Sequence, residues 1–241
     1  MAPRAKGLLF KLLVGVFLWM ALLGSLPASV KAEVFLDFYG GLAMTDSGKV
    51  KGKETFVPFL GIGPTTTRKF RQHVDFKNSF STGARFGYWI ERFPWLGGAI
   101  DASFFEANAK NADINIPVGA LSFLLMFRYP LLVNEQFPKG RLQPYVGIGP
   151  ELAFSEISAE FRENGSGKIK EFATGIGLDL RTGFLWQFHR HWGFFAEYRL
   201  THVKLEADKD DDDVFFGGYA LEEIQTTLTT HHFLGGISFR F

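Results

Sequence analysis

The residues best suited to chemistry in this sequence are ionisable side chains that recur at alternate positions of apparent strands. Five acidic and five basic residues lie at the positions of these strands that alternate with bulky apolar residues: Asp37, Asp101, Glu151, Asp179 and Glu197, and Arg85, Arg128, Arg181, Arg199 and Arg240. Carboxylate and guanidinium groups on one face can pair through parallel hydrogen bonds. Because buried charges must be paired, the set predicts an ion-pair network that fills the interior of a closed sheet. The alternative is that some of these residues lie at wet rims.

Two histidines, His202 and His231, form a second candidate site. Counted along strands seven and eight from the end with the short turns, they fall at similar heights on the same outward face. They could contact phosphates of an outer leaflet, bind a metal, or be ordinary interfacial residues, and we favour the last. A lipid hydrolase pairs its histidine with a nearby serine nucleophile, whereas Val203, Lys204 and Leu205 follow His202. We rank an enzyme below a non-enzymatic surface protein. A soluble or lipid-shuttling periplasmic protein ranks third.

An acidic run from Asp208 to Asp213 is a further candidate. Against the calcium-loop pattern D-x-D-x-D-G, the glycine position holds Asp213 and the twelfth position holds Tyr219 in place of glutamate, which excludes an EF-hand. We interpret the run as a solvated loop, with a weak divalent-cation contact as the alternative. The sequence has no phosphate-binding glycine loop, zinc-ligand spacing or G-x-S-x-G elbow. It predicts no catalytic residue, no cofactor and no metal.

The elements that position these residues are runs of alternating apolar and polar residues. Strict alternation indicates strands with one apolar face. Eight runs show it: 34–45, 77–90, 96–107, 119–130, 142–155, 171–187, 193–206 and 226–241. In the sixth run, Ile176, Leu178 and Leu180 share one parity, while Gly177 and Asp179 share the other. The sequence therefore predicts an all-β fold of eight antiparallel strands.

Alternation also fits a soluble β-sandwich, so the connections between the runs decide. Those after the odd-numbered runs are long, at about 46–76, 108–118, 156–170 and 207–225, and those after runs two, four and six are shorter, near 91–95, 131–141 and 188–192. Long outer loops alternating with short periplasmic turns are typical of outer-membrane barrels, whose strand number is even. Because an eight-stranded barrel has an interior just wide enough for side chains, the lumen is predicted to be plugged.

Aromatic residues cluster at two of the short turns. Trp89 and Trp95 flank one of them, and Trp186 and Trp192 flank another. Aromatic side chains with one polar edge settle at the membrane–water interface. These four tryptophans are therefore predicted to form a periplasmic girdle. Ordinary core aromatics would instead be scattered along the strands.

Two segments do not fit the simple pattern. Pro144 and Pro150 fall in the fifth run, and proline cannot donate to a hydrogen-bond ladder. Pro144 can begin the strand, whereas Pro150 predicts a bulge. The first long connection, 46–76, contains the apolar stretch 56–60. This connection either folds over the barrel mouth or extends a strand beyond the membrane.

Residues 1–32 are typical of a cleaved secretory signal. Arg4 and Lys6 precede an uncharged apolar run over 12–26, and Val30-Lys31-Ala32 offers small residues at the positions that a signal peptidase reads. About fifteen apolar residues fall short of the ~20 that a spanning helix needs. Residues 33–241 then form one barrel domain. They carry more acidic than basic residues and no cysteine, so neither a nucleic-acid partner nor a disulfide is expected.

Three segments resemble strands of the OmpA-like outer-membrane β-barrel family. They are 143–149, with a "PYvGxG" pattern, 197–202, similar to the penultimate strand, and 233–241, similar to the closing strand. The resemblance covers essentially all of 33–241 and implies a fold and a location more than a function. It also implies that the closing strand carries a C-terminal aromatic signal for the barrel-assembly machinery: Phe233, Ile237, Phe239 and Phe241. The peptidoglycan-binding domain of larger members is absent from this sequence, so wall anchoring is not implied.

Together these observations predict a monomeric protein of the bacterial outer membrane with a structural or adhesin-like, surface-binding role. Outer-membrane lipid, lipopolysaccharide and the barrel-assembly machinery are the expected partners. The sequence does not identify a surface ligand. A lipid-modifying hydrolase and a small porin are the alternatives.

Overall fold

Ten antiparallel strands make up the described part of the computed structural model, which covers residues 33–57, 66–110, 114–161, 167–208 and 218–241. The proposed signal at 1–32 lies outside the described residues. The strands follow in chain order: β1 (Glu33–Thr45), β2 (Gly48–Val57), β3 (Thr66–Val74), β4 (Ser79–Ile90), β5 (Phe93–Asn108), β6 (Ile114–Arg128), β7 (Leu142–Phe161), β8 (Gly167–His189), β9 (Trp192–Asp208) and β10 (Gly218–Arg240). Among the described residues no helix is long and apolar enough to cross a membrane.

The sheet closes on itself because β1 pairs with both β4 and β10. Strands β4 to β10 pair in sequence order, so eight strands form a closed antiparallel ring. The backbone N–H of Phe241 donates to the carbonyl of Val34 at 2.9 Å, which extends the closing pair by one residue. A closed sheet leaves no edge of unpaired backbone groups in lipid. The predicted eight-stranded antiparallel barrel is confirmed.

The remaining two strands, β2 and β3, form a hairpin that continues the wall of the barrel. β2 pairs with the first part of β10. Over Glu223–Thr226 its register is offset by one residue from that of β1, and a register shift between Leu221 and Glu223 removes the offset. The connection 46–76, interpreted from sequence as a loop, is thus largely strand, as in the second of the two alternatives considered for it. The apolar residues 58–60 lie outside the described residues.

The other hairpins are also longer than the alternation predicted. β8 and β10 have 23 residues each, and the β7–β8 register continues without a shift to the pair Phe161–Gly167. The predicted loops 108–118, 156–170 and 207–225 were therefore wrong over much of their length. Alternating apolar residues indicate only the part of a strand that faces lipid. The backbone hydrogen-bond ladder continues beyond that part into water, where both faces of the strand are polar.

The predicted bulge at Pro150 is wrong. Gly149, Pro150 and Glu151 pair with consecutive residues of β8 without a register shift. On the β6 side, the ladder has the same register before and after the proline, with Leu125 opposite Ile148 and Ser122 opposite Glu151. The fixed φ of proline is compatible with an extended strand, so only its missing N–H affects the ladder.

Alternate residues face the interior and the surroundings. The exterior carries large apolar side chains with high exposure, including Phe80 (65%), Phe172 (64%) and Ile176 (72%). The interior contains two clusters of buried apolar residues. One includes Phe35 and Trp89 and lies near the end of the barrel with the short turns. The other lies nearer the long hairpins. We call these two ends the turn end and the hairpin end.

Candidate functional site

The charged residues predicted from sequence come together because their strands hold them at one level. The register places Asp37 opposite Arg85, Arg85 opposite Asp101, and Asp101 opposite Ser122. Ser122 in turn lies opposite Glu151. All five residues are almost completely buried. Directly opposed residues on five neighbouring strands thus form an arc around the interior wall.

Arg85 connects this arc to the far side of the barrel. Its Nε donates to Asp37 Oδ2 at 2.9 Å, and its Nη1 donates to Glu197 Oε2 at 2.6 Å. The hydroxyl of Tyr145 donates to the same Glu197 oxygen at 2.8 Å. The guanidinium group also lies 5.3 Å from the ring centre of Phe195, within cation–π range. One side chain therefore ties β1, β4, β7 and β9 together.

Arg181 and Arg199 are the other two cations at this level. Arg181 forms a bidentate pair with Asp179 and donates from Nη1 to Asp101 Oδ2 at 2.9 Å. The Arg199 Nη2 donates to Glu151 Oε2 at 3.1 Å, and its Nε lies 3.0 Å from Asp179 Oδ2. Each guanidinium group thus contacts carboxylates of other strands. Together with Arg85 they link six of the eight ring strands.

Neutral hydroxyl groups complete the network, and three of them were not predicted from the sequence. Tyr39 donates to Asp101 at 2.7 Å, and Ser122 donates to Asp179 at 2.8 Å. Ser103 accepts a bond from Arg199 at 3.0 Å. These residues have the same inward parity as the charged residues, so the parity that located the ions could also have located them.

Glycines opposite the long side chains give them room. A Cβ added at Gly147 would lie 2.9 Å from Cγ of Arg181, and one added at Gly183 would lie 2.9 Å from the ring of Tyr145. Contacts this short require a neighbouring group to move. The alternation of glycine with charged residues is therefore a packing requirement of a narrow interior.

Arg128 and Arg240 are buried nearer the turn end, on either side of Glu33. Arg128 donates to Glu33 at 2.7 Å, and Arg240 lies 3.5 Å from the other Glu33 oxygen. Lys139 lies 3.2 Å from the same carboxylate. Glu33 was not among the predicted residues because it is the first residue of β1. The ten predicted residues are thus distributed over two clusters and do not form one balanced set.

This division leaves the central network acidic. It contains five carboxylates but only three guanidinium groups, those of Arg85, Arg181 and Arg199. Two carboxylate oxygens, Asp37 Oδ1 and Glu151 Oε1, are buried without a hydrogen-bond partner. Arg240 also interacts electrostatically with Asp37, so the basic residues around Glu33 offset this acidic excess.

Toward the hairpin end, the interior becomes apolar. Phe105, Val118, Val203 and Leu228 are each at most 3% exposed and belong to one cluster. His232 is fully buried beside them, and its ring lies edge-on to Phe105 with 5.0 Å between the centroids. The interior is thus lined by a charged central level and an apolar level above it.

Three of the four predicted girdle tryptophans face outward at the turn end. Trp95, Trp186 and Trp192 are 38–49% exposed. Trp89 is 2% exposed and lies inside, where it stacks on Phe35 and is contacted by the guanidinium group of Arg128. Its placement in the girdle was wrong. Trp89 has the same parity as the inward Arg85, so its parity contradicted the girdle interpretation, which used only proximity to the turn.

The two predicted histidines lie near each other on the outward face but do not contact the same group. His202 Nδ1 is 2.8 Å from the hydroxyl of Thr229, and His231 Nδ1 is 2.6 Å from the hydroxyl of Tyr198. His231 Nε2 lies 3.5 Å from Asp46. Within the described ranges, no group of three or more metal-ligating side chains is close enough to hold an ion. Of the acidic run, only Asp208 is described, at the end of β9.

The closing strand presents its aromatic residues outward. Phe233, Ile237 and Phe241 are 40–72% exposed, and Phe239 packs against Trp192 with 3.9 Å between ring centroids. Phe239 also contacts Phe38 of β1 edge-on. These side chains form part of the apolar exterior where the first and last strands meet.

A closed sheet with an apolar exterior and a charged interior defines a transmembrane β-barrel. The family model described as "Outer membrane protein beta-barrel domain" matches residues 18–241, and the chain belongs to this family. The protein is therefore located in the bacterial outer membrane. In such barrels the short turns face the periplasm and the long hairpins face the medium.

The fold agrees with that of a solved structure. The outer membrane protein OprG from Pseudomonas aeruginosa is 14% identical, with a TM-score of 0.50 over 88% of this chain and 97% of that one. Neisserial surface protein A is 15% identical, with a TM-score of 0.44 over 86% of this chain and 97% of that one. No curated protein sequence matches the chain significantly.

We assign Glu151 as a carboxylate of the central network whose charge contributes little to stability, because its Oε1 has no hydrogen-bond partner. Glu151→Gln should then change the free energy of unfolding by less than about 1 kcal/mol, since an amide oxygen still accepts the hydrogen bond from Arg199. Asp179→Asn is the matched control. It removes a charge paired with Arg181 and Arg199, and should cost about 3–5 kcal/mol. Urea unfolding of both variants in lipid vesicles measures the difference, and equal losses would contradict the assignment.

Proposed function

We propose that this protein is a non-enzymatic, monomeric scaffold with a closed lumen that presents its outer hairpins for binding at the cell surface. The observation that carries the proposal is the length of the hairpins relative to the apolar belt. On β7 and β8 the outward apolar residues extend to Phe154 and Phe172, while the ladder continues to Phe161 and Gly167. At about 3.3 Å per residue, each strand projects roughly 20 Å further. Such projection serves contacts above the membrane.

The closed lumen favours the function of a scaffold and argues against that of a porin. Glu151, Asp179 and Asp101 are fully buried, and the arginines between them are at most 3% exposed. An aqueous pore would leave these side chains in contact with water. Wider barrels with many more strands are the ones that leave an aqueous channel. The interior arrangement therefore favours a barrel that does not conduct ions.

We propose that lipid, lipopolysaccharide and the barrel-assembly machinery are the general partners of this barrel. The outward placement of Phe233, Ile237 and Phe241 on the closing strand supports recognition of that strand during assembly. The surface partner of the hairpins is set by residues that can vary without disturbing the barrel, because loops on a rigid scaffold tolerate change.

The wild-type barrel should show no steady conductance in planar bilayers. Glu197→Ala and Arg199→Ala each break buried ion pairs with partners on other strands, so they should lower the unfolding free energy by about 3–5 kcal/mol and produce brief openings. Ser81→Ala is the control, because Ser81 is fully buried but its hydroxyl makes no hydrogen bond. A large, stable channel from the wild type would show instead that the protein is a small porin.

The alternative function is a lipid-modifying hydrolase, favoured by the contact of His202 with the hydroxyl of Thr229 at the outer rim. A nucleophile next to a histidine base is the arrangement that hydrolysis requires. We expect no release of fatty acids when the purified barrel is incubated with lipopolysaccharide. Release by the wild type, and its loss in His202→Ala, would replace the scaffold proposal by the hydrolase.

A further inference from the structure

The β2–β3 hairpin carries like charges in directly opposed positions. The register places Lys51 opposite Arg71, and both side chains are exposed. The neighbouring pairs on the same parity are Lys49 with His73 and Lys53 with Lys69. Like charges directly opposite each other destabilise an antiparallel pair. The two consecutive pairs of permanent cations, Lys51–Arg71 and Lys53–Lys69, therefore cost stability unless an anionic partner offsets the repulsion.

The opposite parity of the same hairpin does not follow this pattern. There the register places Glu54 opposite Arg68, which are opposite charges. On the parity of Lys51 and Arg71, the exposed His73 lies 3.7 Å from Asp75. The exposed Lys51, Lys69 and Arg71 form no ion pair within the described part of the chain. The repulsive ladder is thus confined to one face, which we call the basic face (Lys49, Lys51, Lys53, Lys69, Arg71 and His73).

The basic face looks sideways, over the lipid-facing side of the barrel. β10 runs without a shift against β9 from Phe233, which is 51% exposed to lipid, to Gln225. These residues are an even number apart and so face the same side. Gln225 lies opposite Lys51, which puts the basic face on that side too. At its edge, Glu223 lies opposite Lys53, and Glu206 and Asp208 of β9 lie opposite Gln225 and Glu223. Glu206 is paired with Lys204.

The height of the basic face identifies the partner. Gln225 lies eight residues from Phe233, so Lys51 lies roughly 20 Å above the lipid-facing Phe233, after allowance for strand tilt. A sideways surface at this height contacts the head groups of the outer leaflet and not a distant cell. In a bacterial outer membrane these head groups are phosphorylated saccharides.

We propose that the basic face of the β2–β3 hairpin is a docking site for the phosphate groups of lipopolysaccharide. This inference rests on the proposed scaffold function and names one partner of its hairpins. Lys51, Lys69 and Arg71 are the exposed cations that meet the phosphates. The bound lipid thereby offsets the repulsion within the hairpin and fixes its orientation above the membrane.

The test compares the folded full-length barrel with its Lys51→Gln/Lys69→Gln/Arg71→Gln variant in detergent, titrated with purified lipopolysaccharide. Each basic side chain near an anionic lipid surface contributes roughly a fivefold factor, so the variant should bind about 100-fold more weakly. The variant should be at least as stable as the wild type when no lipopolysaccharide is present, because it has lost repulsion. Arg92→Gln/Arg190→Gln, at exposed positions of the turn end, is the control and should bind like the wild type.

A second titration separates the possible anions. Dephosphorylated lipopolysaccharide should bind the wild type as weakly as phosphorylated lipopolysaccharide binds the triple variant. Unchanged affinity of the triple variant, or equal binding of the dephosphorylated lipid, would overturn the proposal. Stronger binding of a soluble sulfated polysaccharide than of lipopolysaccharide would also overturn it and would assign the face to an external polymer. None of these outcomes depends on conductance, which tests the scaffold function separately.

Discussion

The structure depends on the pairing of charges that have been removed from water. An unpaired ionised group in the interior costs several kcal/mol, so each carboxylate and guanidinium group constrains the strands that carry its partners. Arg85 on β4 holds β1 and β9, and Arg199 on β9 holds β5, β7 and β8. The contacts of Arg85 with β9 and of Arg199 with β5 and β7 connect strands that are not neighbours in the sheet. The backbone ladder specifies neighbouring pairs, whereas the charged level specifies the closed ring.

The same level explains why the interior is lined as it is. Long charged side chains fit an eight-stranded barrel only where glycine faces them, as Gly147 faces Arg181. The acidic excess at the centre and the basic excess around Glu33 place opposite net charges at successive heights of the interior. Apolar packing around Phe105 then lines the interior on the outer side. The rigid wall that results can support hairpins well beyond the membrane.

The period of two was sufficient to predict the eight ring strands and the inward direction of Asp101, Arg181 and Glu197. It could not predict strand ends, because hydrogen bonding continues beyond the segment in which one face must be apolar. It also could not predict which ions would pair, since this depends on heights set by strand tilt and register. Arg128 and Arg240 point inward as Arg85 does, yet they lie beside Glu33. Trp89 was misplaced because nearness to a turn was given more weight than parity.

The most direct test of the charged level as the origin of barrel stability is a double-mutant cycle on Arg85 and Glu197, whose nearest atoms are 2.6 Å apart. The free energy of unfolding is measured for Arg85→Met, Glu197→Met and the double variant by urea titration in lipid vesicles. We expect the double variant to lose less than the sum of the single losses, with a coupling energy above about 1 kcal/mol. Losses that add to within about 0.5 kcal/mol would contradict this account of the barrel.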